Sequence, residues 1–164
     1  MTQQTLEQIH TQIERMRTLA RSTEAQLCTR QERISGWSPA EHLDHTYKVS
    51  MSVVRRLGDA SAKPSPRGIN LMGCVILLLG WIPRGRGNAP ERLRGAVCTG
   101  AHIEEALGRL EQALDALPLD ALSASQLPIV PHPLFRSLTP SQALRFIVVH
   151  TNHHLRIVDE ILGA

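Results

Sequence analysis

Aromatic side chains are scarce in this sequence: two Trp, one Tyr and two Phe among 164 residues, or 3% of the chain. Sheets draw their cores from aromatic and β-branched residues, so the shortage favours packed helices filled with Leu, Ile, Val, Ala and Met. Cysteine is equally sparse. Cys28, Cys74 and Cys98 are far apart, odd in number and form no CxxC pair; this argues against a disulfide framework and for a reducing, cytoplasmic compartment. Charge of one sign is also lacking. The net charge is +3, and the basic residues are scattered among acidic ones, so no nucleic-acid footprint is visible. No apolar run is long enough for a bilayer: the longest, Leu71 to Ile82, contains two glycines and falls short of the ~20 residues a span requires. That run is expected to be a buried helix or a helix in a subunit interface, with a homodimer as the expected assembly. The N-terminus is polar and shows no secretory signal.

Chemical motifs of several classes are missing as well. The cysteines have no histidine neighbour, the serines sit in caps and turns, and Arg84-Gly85-Arg86-Gly87 lacks the strand and lysine context of a phosphate loop. The Arg84, Arg86, Arg92 and Arg94 cluster could receive an anionic substrate, but a solvated basic loop is the more frequent meaning.

What is present is helical periodicity. Leu6, Ile9, Ile13, Met16, Ala20 and Leu27 predict a first helix from Thr5 to about Gln31. Ser38-Pro39-Ala40-Glu41 supplies an N-cap serine, a proline at the first helical position and a glutamate at the third, so a second helix starts there and runs to about Leu57. A shorter helix is expected before Ile82, and the loop from Pro83 to Pro90 contains too many prolines and glycines for regular structure. Val97 to Leu117 forms the next helix, and the proline-rich stretch from Leu127 to Pro133 is extended. Thr139-Pro140-Ser141-Gln142 repeats the capping arrangement and opens a last helix to about Leu162. Four long helices and one short segment predict an all-α four-helix bundle, with residues 1–164 as a single domain. A chain of this size can bury a core without a metal staple, so a bound ion would serve function before stability.

Five of the eight histidines lie in two short stretches, Glu41-His42-Leu43-Asp44-His45 and His150-Thr151-Asn152-His153-His154. His150 and His154, one turn apart on the flank of the last helix's apolar stripe, can reach a single ion; His153 points away from that stripe and reads as a surface or supporting residue. Two imidazoles hold a divalent ion weakly, and a third ligand is needed. His42 and His45 are the candidates, and periodicity does not choose between them. Single histidines such as His10 and His102 read as surface or boundary residues.

Trp37-Ser38-Pro39-Ala40-Glu41-His42-Leu43-Asp44-His45 resembles the W-S-x-x-E-x-x-x-H opening of the second helix in DinB-like proteins, four-helix bundles that bind a metal through three histidines. His132-Pro133-Leu134-Phe135, Leu144-Arg145-Phe146 and His150-Thr151-Asn152-His153-His154-Leu155 are similar to the closing H-x-x-H-H segment of one branch of that superfamily. The resemblance covers about half the chain, and it implies His45, His150 and His154 as the metal ligands. Arg136 departs from the branch, which usually has glycine after Phe135.

The implied cofactor is a divalent ion, zinc or nickel ahead of manganese or iron. Three neutral imidazoles leave its double charge intact, so it would attract hydroxide, carboxylate or thiolate and could activate water or a thiol. The expected function is therefore a metal-dependent enzyme, a hydrolase or a small-thiol transferase, acting on an unidentified small molecule; thiols enter only because some relatives are thiol-dependent transferases. A non-catalytic metal-binding interaction domain is the alternative. Nucleic-acid binding, suggested only by the family's historical name, is disfavoured by the mild charge and few aromatics, and no membrane partner is expected.

Overall fold

A computed structural model describes residues 2–85 and 89–163. Its long helices are α1 (Thr2–Ala20), α3 (Pro39–Leu57), α5 (Gly100–Asp115) and α7 (Pro140–Leu162), which enclose one hydrophobic core. Ile9, Ile13 and Met16 of α1, Leu43 and Val54 of α3, Leu107, Leu110 and Leu114 of α5, and Leu144, Ile147 and Val158 of α7 are each at most 2% exposed. Burying each such side chain contributes about 1.5–3 kcal/mol. Aliphatic burial on four facing stripes thus holds the bundle together, as the shortage of aromatics requires.

Serine and threonine caps fix where the helices begin. The Ser38 hydroxyl accepts from Glu41 N and the Glu41 carboxylate accepts from Ser38 N; Thr139 and Gln142 do the same for α7. A third capping box, Thr23 with Gln26, corrects the expected first helix. That helix divides into α1 and the short α2 (Glu24–Cys28), because the Thr23 cap competes with helix continuation through Arg21 and Ser22. The expected single short segment is likewise exceeded. Besides α2 there are α4 (Leu71–Leu79), α6 (Leu119–Ala124), a 3₁₀ turn at Glu91–Leu93 and a hairpin of β1 (Val130–His132) with β2 (Arg136–Leu138). The strands pair antiparallel, with His132 opposite Arg136.

Of the two expectations for the 71–82 run, full burial is also corrected. α4 buries Gly73, Ile76 and Leu77, and Arg145 of α7 donates to the Leu77 carbonyl. Leu71 (80%), Leu78 (82%) and Leu79 (67%) nevertheless face outward, with Met72, Val75 and Trp81 also exposed. The four long helices already fill the core, so this segment packs on it from outside. Among the described residues no helix is long and apolar enough to cross a membrane.

Candidate metal centre

α3 and α7 lie side by side in the bundle, and their capped starts set which residues meet across the contact. His42 and His45, three residues apart on α3, and His150 and His154, four apart on α7, turn toward each other. His45 Nε2 lies 3.2 Å from His150 Nε2, and His154 Nε2 lies 3.2 Å from the same atom. Histidines 45, 150 and 154 thereby form a group close enough to share one ion. The spacing suits that role. Zinc at its usual bond length separates tetrahedral nitrogens by about 3.3–3.4 Å, and right-angle ligand pairs by roughly 3.0 Å.

The outer nitrogens explain how the rings are held. His45 Nδ1 lies 2.5 Å from the Leu93 carbonyl oxygen. A carbonyl only accepts, so Nδ1 carries the hydrogen and Nε2 is bare. Leu93 belongs to a segment strapped across α3. The Arg94 carbonyl accepts from Lys48 Nζ at 3.0 Å, and Ala96 N donates to Asp44 Oδ2 at 2.8 Å. Gly95 sits between these anchors against the backbone of Glu41, where a Cβ would lie 1.8 Å from the Glu41 carbonyl oxygen. Only glycine allows so close an approach.

His154 Nδ1 lies 2.9 Å from His42 Nδ1, and His42 Nε2 lies 2.9 Å from Ser35 Oγ. His150 Nδ1 is buried with no partner. Its ring leans instead on Phe146, 5.2 Å away between centroids, which meets His132 edge-on at 4.6 Å. Trp37 covers the cluster from the loop before α3, with centroids 5.4, 5.1 and 6.4 Å from His42, His45 and His154.

Burial keeps these imidazoles uncharged. Desolvation, followed by the neighbouring histidines, drives the pKa of His150 and of His154 well below the ordinary value. His45 is lowered mainly by desolvation, against which the Leu93 hydrogen bond works. Desolvation brings His42 down to about 3. Lone pairs are therefore available at neutral pH.

Those lone pairs do not satisfy one another. With His45 Nε2 bare, at most one usable hydrogen, on His150 Nε2 or His154 Nε2, is left for the two inner contacts, whereas one cation would satisfy three lone pairs together. The donor set thus fits a divalent ion. Binding would move the His150 hydrogen to the unpartnered Nδ1, at a cost of about 1–3 kcal/mol. That is small beside the ~10–16 kcal/mol by which structural zinc sites bind.

Periodicity left His42 and His45 open and the family resemblance implied His45; in the structure His45 faces the cluster, while His42 stands behind His154. His153 is half-buried at the edge, its ring 5.0 Å from that of His154. His132 lies in the hairpin, where its Nδ1 accepts from Leu134 N and Phe135 N. His10 faces Glu111 and Asp115 away from the cluster, and His102 is exposed. Arg84 is held by Glu160 in a two-pronged contact at 2.8 and 2.6 Å; Arg86 lies outside the described residues. The Leu93–Ala96 strap escaped sequence reasoning, and Gly95 offered no local signal for it.

Comparison with curated proteins gives no match, and comparison with solved structures gives none either. The family model of the DinB superfamily matches residues 8–158, a span containing all four long-helix stripes and the three converging histidines. The chain belongs to the DinB superfamily.

Proposed function

We propose that this protein is a divalent-metal-dependent enzyme that uses His45, His150 and His154 to activate water or a small thiol, as a hydrolase or a small-thiol transferase. The observation that supports this most is the convergence of three uncharged imidazoles, with His45 and His154 each 3.2 Å from His150 and all three ligand atoms within 4.8 Å of one another. The rings supply lone pairs without supplying negative charge, and a catalytic ion of this kind has three protein ligands with a position left for water or substrate. The ion, zinc or nickel ahead of manganese or iron, lowers the pKa of a coordinated water or thiol toward neutrality. The chain's own residues hold and orient: Leu93 fixes His45, Trp37 shields the rings, and the hairpin aromatics support His150.

The test begins with elemental analysis of the purified protein. Turnover of thioester, ester and thiol-transfer substrates is then compared for zinc-, nickel- and manganese-loaded protein and a His154→Ala variant. Metal-dependent turnover lost in the variant supports the proposal; equal turnover in both removes it. A second reading, a non-catalytic centre that ties α3 to α7, is favoured by the burial of His45 (5% exposed) and His150 (9%). It predicts a large drop in melting temperature with a chelator and no chemistry with any metal.

A further inference from the structure

His42 lies outside the three-histidine group, yet it is 3% exposed and touches the group through His154. Each neutral ring carries one hydrogen, so the chain His154–His42–Ser35 can run in two directions only. In the outward direction His154 Nδ1–H donates to His42 Nδ1, and His42 Nε2–H donates to Ser35 Oγ. In the inward direction Ser35 donates to His42, His42 donates to His154, and the His154 hydrogen sits on Nε2 among the converging nitrogens.

The inner contacts favour one of them, and the His42–Ser35 contact accommodates it. His45 Nε2 is bare because Nδ1 donates to Leu93, and the nitrogen facing it is His150 Nε2. A hydrogen on His150 Nε2 satisfies that contact and requires His154 Nε2, facing the same atom, to be bare as well. The outward direction meets this requirement. The inward one either sets two hydrogens against each other or moves the His150 hydrogen to Nδ1, stranding a buried donor. The outward arrangement strands only an acceptor there.

We infer that His42, seated on Ser35, is a positioning residue. It holds His154 in the Nδ1–H form, with a bare Nε2 aimed at the point shared with His45 and His150. Outer partners of this kind typically change metal affinity by 10–100-fold. The affinity consequence rests on the metal-binding reading; the position of the hydrogen on His154 does not.

Two measurements on the full chain test the inference. Nitrogen-15 NMR of the metal-free protein should show His154 protonated at Nδ1, and protonation at Nε2 overturns the inference. Zinc affinity by chelator competition should fall 10–100-fold in His42→Phe and recover in His42→Asn, whose carboxamide oxygen can accept in place of Nδ1. A folded His42→Phe that binds zinc like the parent overturns it, as does His42→Asn binding no better than His42→Phe. Should His42→Phe fail to fold, Ser35→Ala leaves both rings in place and should still mix the His154 tautomers; an unchanged tautomer would count against the chain. Absence of zinc binding in the parent protein would sink the metal reading, while the NMR result still decides the role of His42.

Discussion

Adding one methyl group at Gly95 should disable the candidate centre without touching a histidine. In Gly95→Ala the new Cβ would lie 1.8 Å from the Glu41 carbonyl oxygen, 2.5 Å from its carbon and 2.9 Å from Cα. Relief to ordinary contact needs a displacement of roughly 1.4 Å, because carbon and oxygen do not approach much closer than about 3.2 Å without bonding. Three hydrogen bonds hold the strap at 2.5, 3.0 and 2.8 Å, and a shift of that size carries each beyond useful range. Losing the Ala96–Asp44 bond, to a buried carboxylate, costs about 1.5–3 kcal/mol, and leaving His45 Nδ1 without an acceptor costs about 1–3 kcal/mol. The Lys48 bond, at a partly exposed ammonium, adds little. The expected destabilisation is thus about 3–5 kcal/mol, a large share of a typical domain's stability. Urea unfolding of the metal-free proteins, followed by circular dichroism, measures it. Zinc affinity should fall as well, because His45 loses the partner that fixes its tautomer. A Gly95→Ala protein within about 0.5 kcal/mol of the parent, the range of neutral surface substitutions, would refute the reasoning.

Three other outcomes follow. Arg136, exposed and at φ 70°, occupies a left-handed conformation that costs a side-chain-bearing residue roughly 1–2 kcal/mol; Arg136→Gly removes that cost, offset in part by chain entropy, and should stabilise by about 0.5–1 kcal/mol in urea titrations. Stability of the metal-free protein should fall with acid: the His42 pKa is depressed to about 3 from 6.5, so the unfolded chain takes up a proton below pH 6.5 that the folded one refuses. From pH 7 to pH 5 that single group costs about 2 kcal/mol, stability being present above 6.5 and lost progressively toward 3; a pH-independent urea midpoint would contradict it. Finally, the outward face of α4 presents Leu71, Leu78 and Leu79 at 80, 82 and 67% exposure beside Trp81 at 54%, and contiguous exposed apolar patches mark interaction surfaces. A homodimer through this face is therefore expected in sedimentation velocity, with Leu78→Glu returning a monomer; a wild-type protein that stays monomeric at high concentration would dismiss it.

The parts of this fold legible in the sequence are those whose cause is local. Ser38 with Glu41 and Thr139 with Gln142 lie within one turn, so the starts of α3 and α7 could be read directly, and the i, i+4 spacing of His150 and His154 follows from helix geometry alone. The α1–α2 break was equally local, in Thr23 and Gln26, but no proline or glycine drew attention to it. Full burial of α4, one of the two readings its sequence allowed, failed for a different reason. Hydrophobicity records a preference for leaving water, and it does not say whether room remains inside a bundle already filled by four stripes. The choice between His42 and His45 was not legible in the periodicity and came only from the motif resemblance, because both sit on the same side of one helix and both are buried. Their roles are assigned by chain outside the helix: the Leu93 carbonyl, 48 residues on, meets one ring, and the Ser35 hydroxyl of the preceding loop the other.

The three converging rings are thus held in three different ways. His45 has a backbone carbonyl, His154 has an imidazole, and His150 has packing alone, through Phe146 and the stacked pair His132–Phe135 at 4.2 Å. Aromatic contacts of this kind contribute about 0.5–1.5 kcal/mol each beyond area burial. Both phenylalanines lie on the His150 side, where an outer hydrogen bond is absent, and Trp37 closes the other. This also gives the hairpin a place in the site. The Nδ1 of His132 ties down Leu134 N and Phe135 N, which seats Phe135 against its own ring and so braces Phe146 beneath His150. A segment that touches no converging nitrogen thereby governs the orientation of the one imidazole that lacks an outer hydrogen-bond partner.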